Sequence, residues 1–300
     1  MRAPLAPSAS VAFVGLGRMG FPMAGHLAAA GFAVRGFDVS ADARERLAAL
    51  DGAAAFATAS EAADGADAII LMVPDSGVVE SVLVGGGLLE ALPRDALVID
   101  MSSSEPLRTR ALAERAAGLG VELVDAPVSG GVAGAQAATL TIMAGGPGET
   151  VAACRPLFEV VGATVVHAGP VGAGHALKSL NNLLSATTFL ATCEALEIGR
   201  GFGLDPQTML DAINVSTGRS LATERKWPDQ VLTERYASGF ALALMAKDMR
   251  IAIGLARQLG AEHALGAEAL SVWERAQRAL PADADQTEVG RWVRAESGGG

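Results

Sequence analysis

The sequence predicts an α/β fold in two parts, a helix-wrapped, mostly parallel sheet over residues 10–169 and an all-helical domain over 170–295, joined by a long inter-domain helix. Three observations predict it. Short, nearly unbroken apolar runs alternate with helical stretches through the first half, as expected for parallel strands buried on both faces. Strand signals stop after Gly169. There AGPVGAG supplies the glycines and proline of a turn, and a helical stretch from about His175 to Arg200 follows it.

The strand candidates are Val11–Gly15, Ala33–Phe37, Ala68–Val73, Ala96–Asp100, Val121–Asp125, Thr139–Ala144 and Ala163–Ala168. Between them, Met19–Ala30, Ala41–Leu50, Pro106–Ala117 and Glu149–Val161 read as helices, which implies a sheet covered by helices. Past the turn, Pro206–Asn214, Ala241–Leu259 and Ala264–Leu280 carry helical patterns. Residues 1–9 and the closing ESGGG, 296–300, are expected to be flexible tails.

With 300 residues, half of them hydrophobic and 19% charged, the chain has ample material for a large core. A net charge of −10 argues against nucleic acid as a partner, because phosphate binding needs a basic surface. The two cysteines are far apart, which fits a reduced, cytoplasmic setting better than a disulfide framework. The four histidines lack ligand spacing, so no metal is predicted. The first residues match no leader, and no apolar window is long enough to span a membrane.

In VAFVGLGRMGFPMAGHLA, Gly15, Gly17 and Gly20 form G-x-G-x-x-G between a strand and a helix, with Leu16, Arg18 and Met19 in the intervening positions. The first glycine permits a tight turn, the second a close approach of backbone to a pyrophosphate, and the third close helix–strand packing. The phosphates would lie at the helix N-terminus, where unpaired amides favour anions. Asp38 closes the next strand, about 20 residues on, where a carboxylate binds the adenosine ribose hydroxyls and repels a 2′-phosphate. The predicted cofactor is therefore NAD; Arg44 and Arg46, further along, keep NADP as the alternative.

In HALKSLNNLLSATTFLATCEALEIG, Lys178, Asn181, Asn182 and Ser185 fall on one helical face of an otherwise apolar stretch, so this polar stripe should line a cavity. Burial near other cations lowers a lysine's pKa from about 10.4, which suits proton transfer. On periodicity alone, a lysine snorkelling to solvent fits as well.

Five ordered motifs, GLGRMGFPMA (Gly15–Ala24), DMSSSEP (Asp100–Pro106), DAPVSGG (Asp125–Gly131), GAGHALKSLNN (Gly172–Asn182) and Lys247-Asp248, together resemble the β-hydroxyacid dehydrogenase family, which includes 3-hydroxyisobutyrate dehydrogenases and tartronate semialdehyde reductases. The resemblance implies a Rossmann domain followed by a helical domain like that of 6-phosphogluconate dehydrogenase. It implies that Lys178 is the general acid/base, that Ser129, Gly130 and Gly131 hold a substrate carboxylate, and that Asn182 orients the substrate. Ser103 would lie beside the nicotinamide and Lys247 would close over the cofactor. The strand-end segment reads MVPD where many relatives have Leu-Pro; a backbone contact to the cofactor from Val73 and Pro74 is expected all the same, since it needs only the turn.

The substrate class so implied is a small anionic hydroxy acid or its semialdehyde, handled by a homodimer or homotetramer. 3-Hydroxyisobutyrate, glycerate/tartronate semialdehyde, threonate, 4-hydroxybutyrate and sulfonated analogues all fit. Arg219 in STGRS is either a cation for a second acidic group or a surface residue. Two competing readings are a non-catalytic dinucleotide-binding module and an imine reductase; Lys178 with Asn182 speaks against both.

Overall fold

The structure, a computed structural model, describes residues 2–298; Met1, Gly299 and Gly300, which belong to the expected tails, lie outside the described residues. The strands are β1 (Ser10–Val14), β2 (Ala33–Phe37), β3 (Ala53–Ala55), β4 (Ala68–Leu71), β5 (Leu97–Asp100), β6 (Glu122–Asp125), β7 (Val128–Ser129), β8 (Leu140–Gly145) and β9 (Gly162–Gly169). They form one sheet in the order β3-β2-β1-β4-β5-β6-β8-β7, with β9 on β8. The run from β3 to β6 is parallel throughout. Its order reverses between β1 and β4, the kind of switch point at which open α/β sheets bind ligands. Beyond β6 the pairing changes, because β8 is antiparallel to β6 and β7 but parallel to β9.

One register row matters for the site. Phe37, Val14, Leu71, Asp100 and Asp125 sit side by side across five strands. The chain leaves the sheet just beyond this row, so five loops emerge along one edge, each about 4.8 Å from the next.

Alternation along the strands buries both faces. Val11 and Phe13 of β1 pack with Met23 and Leu27 of the helix Gly20–Ala29. Ala12 and Val14 pack on the opposite face with Val79 and Leu83. The parallel strands therefore read as continuous apolar runs. β3 is three alanines, with no β-branched residue to mark it, and β7 is two residues; neither carries a legible strand signal.

The expected N-terminal tail is instead tied down. Leu5 is buried and its N–H donates to the Ala153 carbonyl at 2.9 Å, while Arg2 pairs with Glu122 at 3.2 Å. A single apolar side chain between two prolines is too little pattern to announce such docking.

The long helix spans Ala173–Phe202, and the chain divides into two compact units inside it, between Lys178 and Ser179. The second unit adds the helices Pro206–Asn214, Leu242–Gln258, Ala264–Ala279 and Glu288–Glu296 around a core containing Phe189, Trp227 and Trp273. It also contains a ten-residue π-helical segment, Ala222–Val231. Pro228 lies inside that segment and cannot donate an α-type bond, and the Leu232 N–H reaches back to the Trp227 carbonyl at 3.0 Å. The proline and the many polar residues hide this segment from periodicity, and Glu288–Glu296 is short. Among the described residues no helix is long and apolar enough to cross a membrane.

Cys154 and Cys193 are buried in separate cores, and burial pushes each thiol up to about 12. A thiol that stays protonated is a poor nucleophile. Native protein at mildly alkaline pH should therefore resist iodoacetamide, and mass spectrometry should find both cysteines alkylated only after denaturation.

Candidate functional site

The glycine loop follows β1. Gly15 has φ +99°, and a side chain there would collide with the Met72 carbonyl; one at Gly20 would collide with the carbonyl of Gly15. Both positions must be bare for helix and strands to approach this closely. At Gly17 a Cβ would meet nothing within 4 Å, so the loop is open on that side. A cradle closed behind and open in front fits a dinucleotide pyrophosphate. Leu16 turns its side chain into the core, Arg18 is exposed and Met19 is half-buried.

Asp38 is more than a ribose acceptor. Its Oδ2 accepts the Leu16 N–H at 2.7 Å and its Oδ1 the Ser40 N–H at 2.8 Å, so one carboxylate shapes the glycine loop and the end of β2 together. Each oxygen keeps a lone pair for a ribose hydroxyl. Arg44 donates to the Asp38 carbonyl at 2.6 Å, and Arg46 lies over the Phe21 ring, 4.1 Å from its centroid. Both arginines are engaged by the protein itself.

After β4, the Val73 N–H donates to Ser102 Oγ at 3.0 Å. The Val73 amide is therefore already engaged within the protein. Pro74 is exposed, and Asp75 caps the next helix through the Val78 N–H. After β5, buried Asp100 accepts the Ser102 N–H at 2.9 Å and the Ser104 hydroxyl at 2.8 Å, which brackets half-buried Ser103 from both sides.

Asp125, at the end of β6, is fully buried. Its Oδ1 accepts the Gly172 N–H at 2.6 Å and its Oδ2 the His175 N–H at 2.8 Å. It thus caps the long helix from across the sheet edge. A side chain at Gly174 would collide with the Met143 carbonyl, and one at Gly145 with Asp125. Burial raises the Asp125 carboxyl above the usual range, and the charge of His175 and the two amides act in the opposite direction.

His175 is buried between Thr109 Oγ1, 2.9 Å from Nδ1, and the Ser102 carbonyl, 3.1 Å from Nε2. A carbonyl can only accept, so Nε2 carries a hydrogen. The Asp100 and Asp125 carboxylates stand 3.7 and 3.8 Å away. This network joins the loop carrying Ser103 to the start of the long helix. Lys178, one turn further, is itself buried, with 7% exposure. The snorkelling alternative is thereby set aside.

Ser129, the last residue of β7, is half-buried and paired with Thr141 of β8. Gly130 and Gly131 have φ of +133° and +63°, and a Cβ on Gly131 would point into open space. The helix Gly131–Ala137 starts here, and its first internal bond is from the Gly134 N–H to the Gly130 carbonyl at 3.1 Å. The first amides of a helix have no intrahelical partner, which is what an anion-binding turn offers.

In the second unit, Asn182 is buried and donates to Asp248 Oδ2 at 2.6 Å, while Lys247 Nζ is 3.2 Å from Asp248 Oδ1. Asp248 thus holds two of the expected site residues. The expected stripe is narrower than four residues, because Asn181 turns to solvent and donates to Asn182 Oδ1 at 3.2 Å. Arg219 is 64% exposed and 3.6 Å from Glu224, an ordinary surface pair.

Sequence reasoning missed Asp100, Asp125, His175 and Asp248 as individual residues. Three of them open or close a quoted motif, but a motif does not reveal what its acids hold. Among the described residues no group of His, Cys, Asp and Glu could hold a metal ion.

Comparison with known proteins agrees with this geometry. Residues 10–169 match the NAD binding domain of 6-phosphogluconate dehydrogenase, and residues 172–293 match the family described as NAD-binding of NADP-dependent 3-hydroxyisobutyrate dehydrogenase. The chain is 40% identical to 2-(hydroxymethyl)glutarate dehydrogenase of Eubacterium barkeri, over 85% of this chain and 83% of that protein. It is 39% identical to the NAD-dependent L-serine dehydrogenase of Pseudomonas aeruginosa, over 88% of this chain and 90% of that protein. The solved structure of Mycobacterium tuberculosis 3-hydroxyisobutyrate dehydrogenase with L-serine superposes with a TM-score of 0.90 at 35% identity, covering 95% of this chain and 99% of that one. With a dinucleotide cradle, both units matched and relatives similar along most of their length, the chain belongs to the β-hydroxyacid dehydrogenase family, as an NAD-dependent enzyme.

Proposed function

We propose that this dehydrogenase oxidises the alcohol of a small β-hydroxy carboxylate, 3-hydroxyisobutyrate or a close analogue, with Lys178 as the proton-transfer group. The observation that carries the reading is the placement of Lys178. It is buried one turn beyond a helix start fixed to Asp125, at the strand ends where the glycine loop, Asp38, Ser103 and the Ser129 loop also emerge. The compounds named for the relatives support it. 2-(Hydroxymethyl)glutarate, L-serine and 3-hydroxyisobutyrate each carry a hydroxymethyl group on a carbon bearing a carboxylate.

In this reading Ser129 and the amides of Gly130 and Gly131 bind the substrate carboxylate. Asn182, held by Asp248, donates its second amide hydrogen to the alcohol oxygen. Lys178 Nζ takes the hydroxyl proton as the C=O bond forms, and returns it in the reverse direction. NAD supplies the two-electron acceptor for the hydride that leaves the same carbon. Gly15, Gly17 and Gly20 seat its phosphates, Asp38 its ribose, and Ser103 flanks the nicotinamide with Lys247 as a further contact.

The same reading includes self-association as a dimer or tetramer. Leu184, Ile198 and Phe202 follow one line along the long helix with exposures of 67, 75 and 84%, an apolar stripe of the kind that pairs. Light scattering should find an oligomer, and Ile198→Glu with Phe202→Glu should shift it toward monomer; a wild-type monomer overturns this.

Lys178→Ala should lower turnover by about a hundredfold or more with little change in NAD affinity, measured by steady-state rates beside a cofactor titration. Near-normal turnover would refute the assignment. Amides or alcohols in place of the acid should lose at least about tenfold in kcat/KM, and Gly131→Val a similar amount with the acid, because its φ disfavours any side chain. Asp38→Ser should reduce the preference for NAD over NADP by about tenfold or more. It should also weaken NAD itself, since the Leu16 amide loses its acceptor; comparison of the two specificity constants separates these effects.

A further inference from the structure

Ser102 is held at every polar atom. Its N–H donates to Asp100 Oδ1 at 2.9 Å, its Oγ accepts the Val73 N–H at 3.0 Å, and its carbonyl accepts from His175 Nε2 at 3.1 Å. Ser102 and His175 are both buried, and His175 Nδ1 meets a further element at Thr109 Oγ1, 2.9 Å away on the helix Pro106–Gly118. Among the described residues no peptide bond is cis. The Ser102 carbonyl and the Ser103 N–H therefore point in opposite directions from one rigid plane. A bond at the carbonyl oxygen sets the orientation of that whole peptide.

Asp100 fixes what lies on either side of this peptide, through the Ser102 N–H and the Ser104 hydroxyl. Neither of those groups belongs to the Ser102–Ser103 plane itself. The bond from His175 does act on the plane. A buried imidazole is costly unless both nitrogens find partners, so what it adds over an apolar side chain is its two directed bonds. One of them joins helix to helix, and the other is made on the peptide that presents Ser103.

We infer that His175 is a positioning residue for the nicotinamide end of the cofactor, acting through Nε2 and the Ser102 carbonyl on the peptide that carries Ser103. The Nδ1 bond to Thr109 steadies the ring and is secondary. The inference rests on the proposed place of Ser103 beside the nicotinamide and goes beyond it, because it names the group that keeps Ser103 there.

The test separates the two ends of NADH. ADP-ribose carries the adenosine, the pyrophosphate and a ribose but no nicotinamide, so the ratio of its Kd to that of NADH, measured by calorimetry, isolates contacts at the nicotinamide. His175→Asn places an amide where Nδ1 stood and reaches Thr109 but not Ser102. His175→Gln extends its amide to the place of Nε2 and can donate to the Ser102 carbonyl. The Asn variant should bind NADH about tenfold more weakly, with ADP-ribose within about twofold of wild type, as loss of one bond to a buried carbonyl requires. The Gln variant should regain most of the NADH affinity. Thr109→Val, which removes only the partner of Nδ1, should leave the ratio at its wild-type value. A role confined to folding would weaken both ligands together and would not rank Gln above Asn. An Asn variant that weakens both ligands equally, a Gln variant no better than Asn, or a Thr109→Val variant that lowers the ratio by tenfold overturns the inference. Ser103→Trp, which crowds the proposed nicotinamide position, keeps the two readings apart. If it spares the ratio, Ser103 is not beside the nicotinamide and the underlying reading falls; if it lowers the ratio while His175→Asn does not, only the positioning by His175 falls.

Discussion

The start of the long helix, and with it Lys178, is positioned by one buried carboxylate, that of Asp125. A helix start leaves amides without partners, and a strand end leaves a side chain at the sheet edge. Here each settles the other, with the Gly172 and His175 amides on the two oxygens of Asp125. Without that cap, the helix start would lose two of the bonds that fix it to the sheet edge beside the His175 ring. With it, the direction of the helix is set relative to the strand row, and so is the place at which Lys178 appears. The cost is a carboxyl taken fully out of water, which its two amide donors and the neighbouring imidazole offset.

The same device recurs. Asp38 holds Leu16 and Ser40, Asp100 holds Ser102 and Ser104, and Asp248 holds Asn182 beside Lys247. In each case an acid close to the candidate chemistry is occupied with shaping backbone or fixing an amide. The acid then adds orientation, and in the proposed reading the groups that meet the ligand are amides, hydroxyls and lysines. This division is consistent with a site for anions built in a chain of net charge −10, since the acids are screened by the donors they hold.

The sheet was legible in the sequence because its parallel strands are buried on both faces and so read as unbroken apolar runs. The helices were legible where an apolar face repeats for several turns. What escaped was short or irregular: the three alanines of β3, the two residues of β7, and the π-helical segment with its internal proline. The glycine loop stood out because its spacing follows from local geometry, whereas Lys178 stood out through the family resemblance, since periodicity alone fits a solvent-facing lysine as well. Asp100 and Asp125 did not, since their partners lie across strands or dozens of residues away, and no periodicity encodes that. The contacts of Lys226 with Ser185 and Gln286 left no trace either, since those residues are distant in sequence.

The ten-residue π segment has a consequence for how such an enzyme diverges. A π-turn is an α-helix carrying one extra residue, so its side chains are set by the length of the chain as well as by its letters. Removing a single residue between Ala222 and Pro228 would let an α pattern close and rotate position 226 by about 100°, away from Ser185, while Trp227 and its core contacts pulled the other way. In this fold an insertion or deletion of one residue can re-aim a cation without any substitution. Chains that share every motif named above can thus differ in where this side chain points, through a change in segment length that motif comparison does not register.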